Sequence, residues 1–318
     1  MAAVTRRQFV SLAALGAALS SVRADTLKCS SGCIRLPDGR RLAYSEYGNP
    51  AGTKVVIHHH ALPGSRREAE VFRDFGHLAK TPEVRLISFD RPGFGDSDPV
   101  AAKSFCGWVP DLIAAAHALK VDRFAITAFS GGVPYALAAA IAHPDRVTRI
   151  ATACAAGEHV KGLDNGKAAK QREIARDHPR LFKAEINLWI RSIERNPKHA
   201  TRPITGLLQK HVPKETELFK DPVAVEFAAA VMKLAFKQGA LAMGQEAALL
   251  TCPWRLDLAG VKASTTLWHG ESDEFSPPWM SEVLAKAIPG AECHLSPGDG
   301  HLSIVNNRAG EIWAAATA

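Results

Sequence analysis

The sequence predicts an α/β fold, a mostly parallel sheet of about eight strands with helices on both faces. Three observations predict it. Short apolar runs such as Lys54–His58, Val84–Phe89 and Arg123–Ala128 alternate with helix-length segments along most of the chain. Several of these runs stop at loops rich in Gly, Pro, Asp and His. Between Gly157 and Gly260 the strand runs give way to helical periodicity, and alternation resumes at Ser264. A chain of 318 residues, 47% hydrophobic, can hold one such domain with an insertion. The expected division is a core of residues 25–157 and 261–318, interrupted by a helical module at 158–260.

The first segment is set apart from that core. Thr5-Arg6-Arg7-Gln8-Phe9-Val10 precedes an Ala- and Leu-rich stretch from Ser11 to Val22, and Val22-Arg23-Ala24 offers small residues for cleavage. Residues 1–24 therefore read as a secretion signal, and the paired arginines resemble a bacterial twin-arginine export signal. Export to the periplasm is the expectation; the alternative is a cytoplasmic protein with an uncleaved N-terminal helix. The apolar stretch is too short to span a membrane comfortably.

The remaining elements follow in order. Cys33–Leu36 and Arg41–Tyr44 flank Pro37-Asp38-Gly39-Arg40, and Asp-Gly between two such segments signals a hairpin. Lys54–His58 is a buried-strand run. Ser65 reads as the cap of a helix reaching about Ala79, with Glu68 completing a capping box. Val84–Phe89 is a strand, and Ser104–Lys120 a helix whose start Pro110 is expected to mark. The strand Arg123–Ala128 leads through Phe129-Ser130-Gly131-Gly132 into a helix over Val133–Ala142. Val147–Thr152 is the next strand. Helical periodicity covers Gln171–Arg176, Phe182–Arg195 and Val223–Leu250. The pattern closes with a strand at Ser264–Trp268, a helix at Pro277–Ala287, a strand at Glu292–Leu295 and a helix at Leu302–Ala315.

Charge and cysteine content narrow the function classes. The net charge is +7, but Lys and Arg are scattered and form no basic arm, so no nucleic-acid partner is expected. Of the six cysteines, Cys29 and Cys33 are close in sequence, and a disulfide between them and two free thiols are both open. Cys154 and Cys293 read as packing residues. The run His58-His59-His60 invites a metal reading. However, adjacent strand residues point to opposite faces and converge poorly on one ion. No metal or cofactor is expected.

Sites in parallel sheets form where strands end at their carboxyl edge. Four loops there carry chemistry-bearing residues: His60-Ala61-Leu62-Pro63-Gly64, Ala128-Phe129-Ser130-Gly131-Gly132, His269-Gly270-Glu271-Ser272-Asp273, and Pro297-Gly298-Asp299-Gly300-His301. A serine on a tight strand-to-helix turn projects its hydroxyl clear of the backbone, and the following helix aims free N–H groups near it. A serine hydroxyl needs a base, histidine supplies one near neutral pH, and an acid fixes the histidine tautomer. Taken singly, Ser130 can be an ordinary loop serine, Asp273 a helix cap and His301 a structural histidine. The order serine, acid, histidine at successive strand ends favours the chemical reading.

Those loops resemble the α/β-hydrolase superfamily from about residue 32 to the end. His60-Ala61-Leu62-Pro63-Gly64 resembles its H-G-x-P-G oxyanion loop, with Ala61 in place of glycine. Asp90-Arg91-Pro92-Gly93-Phe94-Gly95-Asp96-Ser97 resembles D-x-x-G-x-G-x-S. Ala128-Phe129-Ser130-Gly131-Gly132 resembles the G-x-S-x-G nucleophile elbow, again with alanine for the first glycine. Gly270-x-x-Asp273 and Gly300-His301 resemble the acid and histidine loops. The resemblance implies Ser130 as nucleophile, His301 as general base, Asp273 as acid, and the backbone N–H groups of Leu62 and Gly131 as oxyanion hole. It implies that residues 158–260 form a helical cap that selects a small-molecule substrate. The apolar positions Trp189, Phe227, Met232 and Phe236 are candidates to face the pocket, and their helical spacing fits the core of the cap as well. Serine at the elbow argues against the epoxide-hydrolase and haloalkane-dehalogenase branches, which use aspartate there. The expected function is a serine hydrolase acting on a small ester through an acyl-enzyme. The alternatives are an amide, peptide or carbon–carbon bond hydrolase, a cofactor-free peroxidase on the same triad, and a non-enzymatic ligand receptor on this scaffold.

Overall fold

A computed structural model of the chain describes residues 29–158, 167–195, 206, 215 and 218–318. The expected export signal at 1–24 lies outside the described residues. β1 (Cys29–Arg35) and β2 (Arg41–Gly48) form the hairpin around Asp38-Gly39. β3 (Lys54–His59), β4 (Val84–Phe89), β5 (Phe124–Phe129), β6 (Val147–Ala153), β7 (Ser264–Gly270) and β8 (Glu292–Ser296) complete an eight-stranded sheet of order β1-β2-β4-β3-β5-β6-β7-β8. β2 is antiparallel to both β1 and β4, and every other pair is parallel. From β3 the chain moves outward to β4 and then crosses back to β5 on the other side. The connections that leave the carboxyl ends of β3 and β5 therefore run to opposite sides, the place where a crevice forms in such sheets.

Side chains alternate across the strands, so each face of the sheet carries its own core. One contains Ile57, Ile87 and Ile126 with residues of α2 (Phe105–Ala118), α3 (Val133–Ala142) and α8 (Trp279–Ala287). The other contains Val56, Leu86 and Ala125 with residues of α1 (Glu70–Asp74) and α9 (Ser303–Thr317). Between β6 and β7 lie α4 (Lys167–Asp177), α5 (Pro179–Arg195), α6 (Pro222–Ala235) and α7 (Leu241–Leu249), which share a third core including Phe182, Ile186, Ala229, Met232, Phe236 and Ala247. Among the described residues no helix is long and apolar enough to cross a membrane.

Three local expectations are corrected. The helix expected from Ser65 to Ala79 is instead a 3-10 turn at Arg66–Ala69, the short α1 and a second 3-10 turn at Leu78–Lys80. The capping box does not form, because both of its side chains are used elsewhere. Ser65 donates its hydroxyl to the Val231 carbonyl, 3.0 Å away, while the Glu68 carboxylate takes the Ala61 N–H and His58 Nε2. α2 starts at Phe105, capped by Ser104 accepting the Gly107 N–H at 2.9 Å, so Pro110 sits inside it rather than at its start. The helical stretch Val223–Leu250 is made of α6 and α7, parted by a turn that includes Gly239 with φ +84°. Of the two states left open for Cys29 and Cys33, the structure has free exposed thiols on one strand. Four residues of strand span about 13 Å, beyond disulfide reach.

The histidine run diverges as its strand position requires. His58 bonds Thr127 and Glu68, His59 packs edge-on to Trp108, and His60 bonds the Ala61 carbonyl and accepts the Arg91 N–H. Burial, and then the nearby Arg91 charge, hold His59 down to about 3. An unfolded histidine titrates near 6.5, so between roughly pH 6.5 and that folded value the unfolded chain binds the proton that the folded chain refuses. Stability contributed by neutral His59 is therefore present above pH 6.5 or so and is lost progressively on acidification. Urea denaturation across this window is expected to show that decline, with a shallower slope in His59→Phe. An equal slope in both proteins would contradict the assignment.

Candidate active site

β5 ends in Phe129, and the next residue turns sharply into α3. Ser130 takes φ +50°, the left-handed region that a serine seldom occupies. The turn is tight because Gly132 lies against the end of β3: a Cβ there would come within 2.4 Å of the His59 carbonyl oxygen. The alanines at 61 and 128 meet no comparable conflict. Neither has a positive φ, and both are accommodated as buried residues. A Cβ on Gly131 would lie 2.9 Å from the Leu62 Cβ and 3.5 Å from its nitrogen, so the two residues expected to supply an oxyanion hole are neighbours in space.

Ser130, Leu62 and His301 line one cavity of about 260 Å³. Its walls are mostly apolar, with Phe129, Phe182, Trp189, Phe227, Phe236 and Phe275 among them. The four inserted-segment residues singled out from the sequence, Trp189, Phe227, Met232 and Phe236, all reach it. Ser130 is 2% exposed.

His301 follows β8 and lies against the rings of Phe129 and Phe275, with centroids 5.1 and 4.9 Å away. Its Nδ1 is 2.7 Å from Asp273 Oδ2. Donation of that N–H to the carboxylate leaves Nε2 with a lone pair, the tautomer a general base requires. Asp273 is the most committed acceptor of the site. Its Oδ1 takes the N–H groups of Phe275 and Ser276 at 2.8 and 2.9 Å, and its Oδ2 also faces His269 Nε2 at 3.1 Å. Burial alone would raise its carboxyl, but the His301 charge and the hydrogen bonds from His269 and His301 hold it far below the usual carboxylate range.

Two supporting residues, His269 and Glu215, had no individual signal in the sequence, while Asp90 and Gly95 were marked by the D-x-x-G-x-G-x-S motif. His269 shares its Nε2–H between the Ser276 carbonyl at 2.8 Å and Asp273 Oδ2 at 3.1 Å and faces the Ser281 hydroxyl through Nδ1 at 2.6 Å, which fixes it behind Asp273. Glu215 accepts the N–H groups of Leu302 and Ser303, at 2.9 and 2.6 Å, directly after His301. Burial raises its carboxyl, partly offset by those bonds. Asp90 accepts the N–H groups of Arg66 and Asp96 and pairs with the Arg66 guanidinium, so it both braces its turn and ties it to the loop after β3. Gly95 is obligatory beside it, since a Cβ there would overlap the Asp90 carboxylate. Arg91 is 2% exposed and pairs with the equally buried Glu246 of α7.

One trio of metal-ligand types meets among the described residues: Cys154, His269 and Asp273, with ligand atoms within 4.8 Å of one another. Two of the three already bond within the site as described above. Cys154, expected as a packing residue, is fully buried beside them.

The alpha/beta hydrolase fold family model matches residues 54–307. The chain belongs to that family. The α/β-hydrolase matches 122 residues of a proline iminopeptidase from Xylella fastidiosa (strain 9a5c) at 33% identity, 37% of each chain. It thus spans well under half the length of the curated relatives it matches. Among solved structures, a hydrolase from Pseudomonas aeruginosa PA01 is 21% identical with a TM-score of 0.64, covering 92% of this chain and 97% of the other. A thermophilic esterase from Thermogutta terrifontis is 19% identical with a TM-score of 0.64, covering 90% and 96%. At those identities the likeness is one of fold.

Proposed function

We propose that this α/β-hydrolase is a serine hydrolase that cleaves small esters through an acyl-enzyme. The observation that carries the reading is the meeting, on one apolar cavity, of a serine held at positive φ and an imidazole bonded to a buried carboxylate. Ser130 Oγ attacks the ester carbonyl while His301 Nε2 takes its proton. Asp273 holds the tautomer and stabilises the imidazolium, and the Leu62 and Gly131 N–H groups receive the oxyanion. His301 then protonates the leaving alcohol and activates water on the acyl-enzyme. The apolar walls suit an apolar acyl or alcohol group.

A fluorophosphonate probe is expected to label Ser130, and the purified protein to turn over p-nitrophenyl esters. Labelling of a different serine, or no turnover across a range of acyl chains, would remove the proposal. The likeness to a proline iminopeptidase makes a peptidase the second reading. An aminopeptidase needs a carboxylate to anchor the substrate amine. The carboxylates that line the cavity, Glu68 and Asp74, are engaged by the Ala61 N–H and His58 and by Arg73, so the ester reading is preferred. Hydrolysis of proline p-nitroanilide as fast as p-nitrophenyl acetate would reverse that preference.

The inserted helices act in this reading as a cap that sets acyl preference. Trp189 and Phe236 pack edge-on, with centroids 5.3 Å apart, on the cavity wall. Trp189→Ala and Phe236→Ala are each expected to shift relative kcat/KM toward longer acyl chains by about tenfold, the scale of one or two methylenes. Activity on an acetate ester should be largely kept. Equal loss on all chain lengths would assign these residues to packing alone.

A further inference from the structure

The Ala61–Leu62 peptide is held from behind. Its carbonyl oxygen, that of Ala61, accepts from His60 Nδ1 at 2.7 Å and from Arg91 Nη2 at 3.1 Å. Arg91 Nη1 also donates to the His60 carbonyl at 2.6 Å. The same peptide unit carries the Leu62 N–H, and in a trans peptide the C=O and N–H point in opposite directions. Two donors fixed on the carbonyl side therefore turn the Leu62 N–H the other way, where Gly131 and the cavity lie. Donation to the carbonyl also polarises the amide and strengthens its N–H as a donor.

Arg91 is itself fixed by two helices. Its guanidinium lies 4.7 Å from the centroid of the Tyr135 ring of α3. It bonds Glu246 of α7 through Nε and Nη2, at 3.1 and 2.8 Å. Glu246 also accepts from Lys103 at 2.7 Å. Burial would raise the Glu246 carboxyl, but Arg91 and Lys103 hold it down to about 2.

We infer that Arg91 is a positioning residue for the oxyanion hole, set by Glu246 of the inserted helices, which orients and polarises the peptide that presents the Leu62 N–H. The inference rests on the serine-hydrolase reading. It gives the Arg91 of the Asp90–Ser97 loop a role in the reaction, and it makes the inserted helices part of the machinery that stabilises the transition state.

The test compares wild type with Arg91→Lys, which keeps the charge but cannot hold two carbonyls and a carboxylate at once. Two inhibitors of matched chain are used. A trifluoromethyl ketone accepts a bond from Ser130 Oγ, the serine proton passes to His301 Nε2, and the carbonyl pair becomes an oxyanion. The corresponding alcohol fills the cavity without one. The expected result is kcat lower by roughly a hundredfold, ketone affinity lower by about as much, and KM and alcohol affinity within about threefold.

If the wild type forms no ketone adduct, read by its fluorine resonance, the serine-hydrolase reading itself has failed. If the wild type forms the adduct and Arg91→Lys matches it in kcat and ketone affinity, this inference alone is overturned. Equal losses for ketone, alcohol and KM would mark general damage to the cavity and also overturn it. Should Arg91→Lys not fold, the double variant Arg91→Gln with Glu246→Gln replaces the ion pair by an uncharged amide pair, and the same comparison is read on it. If neither folds, Arg91 serves the stability of the core, and the inference falls.

Discussion

Ser130→Ala is expected to lower ester turnover by about a millionfold, and His301→Ala by a similar amount. The two losses should match because base and nucleophile act as one unit: without its acceptor the hydroxyl keeps its proton, and without the hydroxyl the imidazole has nothing to activate. The double variant should therefore be no worse than either single one. Residual activity above the uncatalysed rate, on the order of a thousandfold, would come from the oxyanion N–H groups and substrate binding. Steady-state turnover of a p-nitrophenyl ester, with thermal denaturation to show that each variant folds, makes the measurement. A folded Ser130→Ala protein keeping a tenth of its activity would place the chemistry elsewhere.

Asp273→Asn is expected to cost roughly ten-thousandfold. The asparagine amide fills the same space, but its NH₂ can donate to His301 Nδ1. That stabilises the tautomer with the proton on Nε2, and the base disappears although the geometry remains. Two further carboxylates, Glu271 and Glu274, flank Asp273 in sequence, but the carboxylate bonded to His301 is that of Asp273. Glu271, which is exposed, and Glu274 should each tolerate Gln with little change in turnover. If Glu271→Gln were the inactive variant instead, the acid would have been misassigned.

The same substitution has a signature in stability. The Asp273 carboxyl is held below its unfolded value, so its ionised form stabilises the fold above about pH 4 and that contribution is lost as pH falls. Asp273→Asn removes this part of the acid dependence. Urea titrations at neutral and acid pH should converge for the variant relative to wild type.

The sheet, its flanking helices and the positions of the site loops were legible because they depend on local patterns. Strand runs, Asp-Gly turns and the apolar face of each helix are set by neighbouring residues, and the rules linking strand ends to sites are topological. Ser130, Asp273 and His301 could be selected for the same reason, as each sits at the end of a strand that its own residues specify. Whole-chain contacts decided the rest. Ser65 and Glu68 look like a capping box, but long-range partners, the Val231 carbonyl and the pair His58 and Ala61, took their side chains and broke the helix they would have started. Glu246 sits 155 residues from Arg91, and Glu215 is 87 residues from Leu302. The sequence carries no sign of either pairing, because a buried charge selects its partner by proximity in the folded core. Sequence by itself determined the sheet edge at which Ser130, Asp273 and His301, the proposed reacting groups, are presented. Only the tertiary structure decided which polar groups hold that edge in place, since burial makes every donor and acceptor there find a partner wherever the chain brings one.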